Sequence, residues 1–487
     1  MAHASELPAE VDVLVVGAGP TGLLLTIALR RLGIDAHLID RNSAPLTWDR
    51  ATVITARSLE ILDQLGLVDP IVDRGVHIRE IVVAVDGTLL DAADAGQPGA
   101  TYPYNVGLAE DELERVLRTD LARHGSVVYW GASLHQLTQG ADGVEAVLVG
   151  ERGPAMVRAR WLVGCDGFHG ATRHAAGIDR CRVHPDREWA VFDATVQPWT
   201  SPIEATYAYL DGPGAILTPL PDRRWRVYTR PAPDTDAVAE TLSVLQRYHS
   251  TAQFADVAHL SHFTCHSMIA AEYRRDRVFL AGDAAHVCSP AQGQGMNIGL
   301  HDAHNLSWKL AMVLHEAADD GLLDSYAAER RPIGEAVIDA GDSADRVEDG
   351  RGRADDSQRR RELERLLTVD DERTWTIDYP NSPIVLDRGG AGVPPGAIAP
   401  QSWSSNDLRH RAVVSASPNF ADRQLPHLRS AADAFGWSPP MCTAPNGALD
   451  PPTVHVVRPD GYVGLRADLG DDAALDEYVA VESGSAG

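Results

Sequence analysis

Lysine is nearly missing from this chain: Lys309 is the only one among 487 residues. A phosphate-cradling G-x-x-x-x-G-K-[ST] loop is therefore excluded, because Trp308-Lys309-Leu310 does not fit it. Lysine Schiff-base chemistry is left with one poor candidate. Positive charge is scarce overall, with 43 Lys and Arg against 69 Asp and Glu and a net charge of −26. That balance argues against a nucleic-acid partner and against binding to an anionic membrane surface, while leaving room for a local basic pocket. The five cysteines (Cys165, Cys181, Cys265, Cys288, Cys442) form no C-x-x-C and no zinc-ligand spacing. No metal site is expected, and a reducing cytoplasm is the natural compartment. Met1 to Glu10 is acidic and has no apolar h-region, so it does not read as a secretory signal. The uncharged stretch Val13 to Leu29 is interrupted by Gly17, Gly19, Pro20 and Gly22 and does not read as a membrane span.

What is present is ordinary for a large globular chain: 44% hydrophobic and 23% charged residues, with length for two to four domains at roughly 100 to 200 residues each. Val11 to Val16 reads as a buried strand, Gly22 to Arg31 as a helix, and Asp35 to Ile39 as a second strand ending at Asp40. Between the first strand and the helix lies Gly17-Ala18-Gly19-Pro20-Thr21-Gly22. In this βαβ unit Gly17 permits the tight turn, Gly19 lets backbone approach a pyrophosphate, and Gly22 lets helix and strand pack closely. Asp40, 18 residues beyond Gly22, is placed to accept from ribose hydroxyls. The alternative is a structural glycine turn, which the flanking strand, helix and acid make the weaker reading.

Two further glycine and acid clusters lie downstream. Trp161 to Gly167 is an apolar strand ending in Asp166-Gly167. Arg277 to His286 is a strand ending in Gly282-Asp283, followed by Pro290, then Gly293-Gln294-Gly295-Met296-Asn297 opening a helix read as Gly299 to Glu316. A strand ending in Gly-Asp aims one carboxylate at a polyol, and a glycine-rich turn at a helix start offers N–H groups to negative charge on a reduced ring. Taken singly, each cluster also reads as a strand-to-helix turn that merely needs glycine.

Together, in this order, the three clusters resemble the class A flavoprotein monooxygenases of the p-hydroxybenzoate hydroxylase fold, closest in look to aromatic polyketide hydroxylases. Arg50 to Glu60, Leu306 to Leu310 and Val457 to Val463 also look like segments of that family. The resemblance implies FAD with its pyrophosphate at Gly17, Gly19 and Gly22, its adenosine ribose at Asp40, a flanking contact from Arg41, and Pro20 and Thr21 among the cofactor-binding residues. It implies that Arg50 approaches the flavin, that Asp283 contacts the ribityl chain, that Gly295, Met296 and Asn297 contact the isoalloxazine, and that Pro290 and Gly293 are also cofactor-binding. Asp166 and Gly167 match a motif implicated in binding both FAD and NAD(P)H. No substrate-activating base is identified. The chain departs from the family pattern at Ala51 and Val53 (both usually Gly), Glu110 (usually Gln), Gly170 (usually Ser) and Gln292 (usually Gly).

The implied fold is α/β: a Rossmann-like FAD-binding domain (1–75, 105–180 and 272–380), an interleaved mixed-sheet substrate domain (76–104 and 181–271), a linker (381–401) and a thioredoxin-like C-terminal domain without C-x-x-C (402–487). The implied activity is hydroxylation of a polycyclic phenol through a flavin C4a-hydroperoxide, consuming NAD(P)H and O2. Baeyer–Villiger oxidation of a related ketone or quinone is the runner-up, and a non-catalytic flavin-binding partner or redox sensor is the alternative of a different class. A homodimer is left open.

In the middle segment, alternation in Ala205 to Leu210 gives a half-buried strand, and Phe192, Tyr207, Tyr209 and Trp225 are candidates to stack on an aromatic ligand, with ordinary core packing as the default. His301 and His304 lie one helical turn apart with no third ligand nearby and read as core or solvated residues. Arg359-Arg360-Arg361 is flanked by acids and reads as a mixed-charge surface.

Overall fold

The computed structural model describes residues 6–85, 87–89, 92–96, 100–210, 212, 214–289, 293–349, 377–404, 406–415, 428–434, 436–443 and 452–484, with backbone alone at 182–187 and 341–349. Pro290, Gln292 and the Arg359-Arg360-Arg361 run fall outside the described residues.

The run of apolar residues at the start forms strand Glu10–Val16, whose Val13, Leu14 and Val15 are fully buried. A strand apolar on both faces belongs in the interior of a parallel sheet. It pairs in parallel with Ala36–Asp40 on one side and Gly153–Gly164 on the other, and the latter pairs in parallel with Val278–Leu280. Three neighbouring parallel strands thus end at Gly17, at Cys165-Asp166 and at Ala281-Gly282-Asp283. Clusters more than a hundred residues apart in sequence meet at one carboxyl edge of one sheet, the place where open α/β sheets bind ligands. Helix Pro20–Arg31 begins two residues before its expected start, with Pro20 in its first turn. Helix Gly295–Leu314 begins four residues before its expected start, so Gly295, Met296 and Asn297 form its first turn.

A second, nine-stranded sheet among the described residues holds Glu80–Val85, Arg180–Gln197, Ala205–Tyr209, Ala215–Leu220, Arg224–Thr229 and Gln253–Ala270. Its two faces differ because side chains alternate along each strand. One face carries Phe192, Tyr207, Tyr209, Leu217, Trp225 and Val227, packed with Val244 and Leu245 of helix Ala237–Leu245. The four aromatic ligand candidates are therefore core residues. The other face carries Val191, Asp193, Ile216, Arg226 and Tyr228, aligned across three strands by the registers Val191↔Tyr228, Asp193↔Arg226 and Ile216↔Tyr228. This face meets residues 48–52.

The third unit is a five-stranded sheet in the order Leu386–Asp387, Val463–Asp468, Thr453–Val457, Arg411–Ser415, Ser438–Thr443. Only the last pair and the Leu386–Asp387 edge run parallel. Leu386–Asp387 lies within the segment read as a linker, so part of that segment is built into the sheet. Among the described residues no helix is long and apolar enough to cross a membrane.

Candidate active site

Gly17 has φ +106°, and a Cβ there would overlap the Cys165 carbonyl, so only glycine lets the first strand turn this close to its neighbour. A Cβ on Gly22 would overlap Gly17 O, which fixes the helix against the turn. Gly19 is different: nothing lies within 4 Å of where its Cβ would be. That open space fronts a helix whose first N–H groups have no side-chain cap, which is the arrangement that receives a phosphate. Asp40 Oδ2 accepts from Ala18 N–H at 2.7 Å and Oδ1 from Asn42 N–H at 2.8 Å. The carboxylate thus braces the glycine turn and keeps one lone pair per oxygen for a ribose hydroxyl. Arg41 is exposed beside it.

Two of the expected contact residues, Thr21 and Asn297, engage their side chains within the protein. A Cβ on Gly282 or Gly299 would run into Thr21 Oγ1, so the Thr21 hydroxyl is wedged between the two helices and the Gly-Asp turn. Asn297 spends its amide inside the protein, its Oδ1 accepting from Thr55 N–H at 2.9 Å and its Nδ2 donating to Val53 O at 2.8 Å and Gly293 O at 2.9 Å. Asn297 staples the Val53 segment to the turn that precedes its own helix.

Asp283 is exposed while Gly282 and Ala284 are buried. Desolvation by the surrounding protein raises its carboxyl above the ordinary range, against the pull of His286 and Arg50. The turn is held from behind by Asp302, which is fully buried and accepts from Gly282 N–H at 3.0 Å, His286 Nε2 at 2.6 Å and Arg330 Nε at 2.7 Å. Burial alone would raise the Asp302 carboxyl, yet His286 and Arg330 hold it down at about 2. The helix at Gly295 also lacks a side-chain cap, and the buried Gln294 Nε2 has no hydrogen-bond partner among the described residues. Met296 is partly buried against the core. Asp166 has turned onto the helix Ala171–Ala175, accepting from Thr172 N–H and Oγ1–H at 2.9 Å each. A Cβ on Gly170 would overlap that carboxylate, which accounts for glycine at this position. Gly167, with φ +76°, borders open space.

The residues 48–53 cross between the two sheets, and here reading the sequence missed the residues that matter. Arg226, 1% exposed, pairs with Asp193 through Nε at 2.8 Å and Nη2 at 3.1 Å, while its Nη1 donates to the carbonyls of Asp49, Arg50 and Ala51. Tyr228 Oη donates to Arg50 O and lies 3.1 Å from Thr52 Oγ1. Trp48 Nε1 donates to Asp193 Oδ2 at 3.2 Å, and the Arg226 guanidinium lies 4.9 Å from its ring. The signal was present in the alternation of Trp225-Arg226-Val227-Tyr228, where two polar groups share a face with Asp193. Arg50 itself is half exposed, stacks 4.7 Å over Phe263 and acts electrostatically on Asp283. Trp48, Ile216 and Phe263 are partly buried against Trp189, Val191 and Tyr228, an apolar aromatic patch beside the cleft. His301 and His304 are buried, and His301 Nε2 lies 3.2 Å from Ser58 Oγ.

FAD fits this set. Open space at Gly19, two uncapped helix starts and an exposed Asp283 with no side-chain hydrogen bond among the described residues suit a pyrophosphate, a ring able to carry negative charge, and a polyol respectively. Residues 10–341 match the FAD binding domain family. A 3-(3-hydroxy-phenyl)propionate/3-hydroxycinnamic acid hydroxylase of Mycolicibacterium smegmatis is 34% identical over 347 residues, covering 70% of this chain and 62% of that enzyme's length. A tetracenomycin A2 monooxygenase-dioxygenase of Streptomyces glaucescens is 30% identical over 569 residues, covering 98% of each. The solved structure of the OxyS anhydrotetracycline hydroxylase from Streptomyces rimosus superposes with a TM-score of 0.74 at 27% identity, over 98% of this chain and 99% of that one. The matched span includes every residue of the cleft described above, and the chain belongs to the FAD binding domain family, in the mixed α/β fold of the p-hydroxybenzoate hydroxylase type.

Proposed function

We propose that this chain is an FAD-dependent monooxygenase that hydroxylates an aromatic, polycyclic polyketide-type phenol, taking electrons from NAD(P)H and oxygen from O2. The observation that carries the reading is the segment 48–53, held by Arg226 at one end and by Asn297 of the Gly295 helix start at the other, beside the patch formed by Trp48, Ile216 and Phe263. The relatives named hydroxylase and monooxygenase support it, the one from Streptomyces glaucescens over nearly the whole chain. In this reading Gly17, Gly19 and the start of helix Pro20–Arg31 hold the pyrophosphate, Asp40 with Arg41 the adenosine end, and Asp283 the ribityl chain. The backbone N–H groups of Gly295, Met296 and Asn297 face the ring, and Gly167 with Asp166 borders the NAD(P)H approach. When bound, flavin supplies reduction by NAD(P)H and activation of O2. The protein's own work is to bind, orient and exclude water: Arg226 and Tyr228 fix the backbone over which Arg50 is displayed, and the aromatic patch receives a flat ring. The C-terminal unit, with its strand order, fits a thioredoxin-like layer in a packing role. None of the five cysteines is in a disulfide, which suits a reducing cytoplasm.

The test is a screen of polycyclic phenols and quinones for stimulated NAD(P)H oxidation, followed by product structure after turnover under labelled O2. A labelled ring hydroxyl is expected. A labelled lactone would replace hydroxylation with ketone oxygenation, and no stimulation by any aromatic would remove the enzyme reading. The two faces of the nine-stranded sheet give a sharper comparison. Phe263→Ala is expected to raise KM several-fold with little change in the unfolding midpoint. Trp225→Ala should instead cost about 3–5 kcal/mol of stability, as large core truncations do, and leave KM unchanged in the folded fraction.

A further inference from the structure

The two turns assigned above to the ribityl chain and to the ring are tied together by one side chain. Arg330, on helix Asp324–Asp349, is 1% exposed, and a guanidinium so buried needs acceptors for its N–H groups. It finds three. Nε donates to Asp302 Oδ1 at 2.7 Å, Nη2 to Ile298 O at 3.1 Å and Nη1 to Tyr379 Oη at 2.9 Å. Asp302 passes the first bond on to the Gly282-Asp283 turn, since its Oδ2 accepts from Gly282 N–H at 3.0 Å. Ile298 passes the second on to the start of helix Gly295–Leu314, since its N–H donates to Gln294 O at 2.9 Å. The third bond leads toward the C-terminal unit. Tyr379 is buried, its N–H donates to Gly396 O at 2.7 Å and its carbonyl accepts from Ser382 N–H at 3.0 Å. Gly396 has φ +83°, and a Cβ there would overlap the Tyr379 carbonyl, so glycine is what admits this close approach. Gly396 N–H in turn donates to Val463 O at 2.7 Å, in strand Val463–Asp468 of the C-terminal sheet. The Tyr379 ring also packs on Tyr462, with 4.3 Å between centroids.

We propose that Tyr379 is a positioning residue for FAD: its hydroxyl orients the Arg330 guanidinium and, through it, the turns at Gly282-Asp283 and Gly295, so that the C-terminal unit sets how tightly the cofactor is held. This rests on the FAD reading of the cleft. The guanidinium is planar and carries its donors in one rigid fork. With Tyr379 Oη gone, Nη1 is left buried beside no acceptor, and a buried charged group that loses a hydrogen bond pays its full desolvation cost. Any rotation that finds Nη1 a new acceptor draws Nε away from Asp302 or Nη2 away from Ile298 O, because one plane carries all three. Asp302 then holds Gly282 N–H from a displaced position, and Asp283, the next residue, moves with that turn. Tyr379 acts on the cofactor only through Arg330, so its effect must vanish when the fork is absent.

The experiment is FAD titration of the full-length apoprotein by flavin fluorescence, with unfolding midpoints by circular dichroism, for the wild type, Tyr379→Phe, Arg330→Lys, the double variant and Tyr478→Phe. Tyr379→Phe keeps the ring and its packing on Tyr462 and loses one oxygen. Its Kd is expected to rise about three- to tenfold, a fraction of the roughly 10- to 150-fold that a hydrogen bond to a charged group is worth. Arg330→Lys keeps a charge for Asp302 but no fork, so its Kd should rise as well, and adding Tyr379→Phe to it should change Kd no further. Tyr478→Phe is the control for lost stability. Tyr478 Oη donates to Glu482 within the C-terminal unit, so this variant should lower the midpoint and leave Kd alone. The comparison of Tyr379→Phe with Tyr478→Phe decides the matter even where Arg330→Lys does not fold. A Tyr379→Phe Kd equal to that of the wild type, an undiminished effect in the Arg330→Lys background, or an equal rise in Tyr478→Phe would overturn the positioning role while leaving the FAD assignment standing. Failure of the wild type to bind FAD would overturn both.

Discussion

Asp283→Ala is expected to give a folded protein that purifies with little or no flavin. Asp283 makes no side-chain hydrogen bond among the described residues, and it is exposed between two buried neighbours. Its removal therefore costs the fold little. The turn that displays it is fixed independently, through Asp302 accepting from Gly282 N–H. The carboxylate has no hydrogen-bond donor from the described residues, and a polyol with several hydroxyls would provide donors. Hydrogen bonds to a charged group contribute about 1.5–3 kcal/mol, so FAD affinity should fall by roughly 10- to 150-fold. The ratio of flavin to protein absorbance after gel filtration, with circular dichroism to confirm folding, measures this directly. A variant retaining full flavin would show that Asp283 does not hold the cofactor. The same ratio for Asp302→Asn should also fall, because the turn loses its anchor, but there the unfolding midpoint should fall with it.

The contrast between these two aspartates indicates what a sequence can and cannot disclose. Asp283 stands out as a candidate in the sequence because its neighbours are unusual: a strand that ends in Gly-Asp and runs into a glycine-rich helix start has few structural uses. Asp302 sits inside an apolar helix and carries no local signature; its role comes from His286 and Arg330, which arrive from other elements. Arg226 is a similar case. The alternation in Trp225 to Tyr228 was readable as a strand, but alternation alone does not say which face looks at the cleft, and the eye is drawn to the aromatics on the face that helix Ala237–Leu245 covers. Thr21 and Asn297 show a subtler limit. Both stand at the start of a helix, yet the motif pattern is silent on whether a side chain points out to a ligand or back into the protein. Helix starts were misplaced by two and four residues for a related reason, since glycine and proline read as breakers although at an N-terminus they are compatible with the first turn.

Arg458→Ala should be among the most destabilising single changes in the molecule. The lone lysine and the Arg458-Pro459-Asp460-Gly461 turn, far apart in sequence, meet in a fully buried group of four charges. Arg458 donates to Glu329 through Nη1 at 2.6 Å and Nη2 at 3.0 Å, and to Asp460 through Nε at 3.0 Å. Lys309 Nζ donates to Glu329 Oε2 at 2.6 Å and to Asn305 Oδ1 at 2.9 Å. Ser382 Oγ donates to Glu329 Oε1 at 2.6 Å, and Asn305 Nδ2 to Asp460 Oδ2 at 3.1 Å. Two cations face two anions, so the group is neutral and each member depends on the others. It joins helix Gly295–Leu314 to the C-terminal sheet, and Arg57 and Gln64 tie the 458–461 turn to the N-terminal unit through Asp460 O and Pro459 O. Removing one partner of a buried pair costs about 3–5 kcal/mol, because the remaining charge is left uncompensated. Arg458→Lys should recover little of this, since an ammonium does not present the planar fork that spans Glu329 and Asp460. Arg115→Ala, which breaks the exposed pair with Glu112, is the control and should change stability by no more than about 1 kcal/mol. The pH dependence has a definite sign. Burial alone would raise the Glu329 carboxyl, but Arg458 and Lys309 hold it below the ordinary carboxylate range. Its contribution is therefore complete above the unfolded-state pKa of about 4.3 and is lost as pH falls through the lower folded-state value. Urea midpoints measured from pH 7 down to pH 3 should fall for the wild type below about pH 4, with a shallower decline for Arg458→Ala, in which that pKa depression is largely gone. Equal midpoints for the two proteins at pH 7 would mean that the buried group does not hold the C-terminal unit in place.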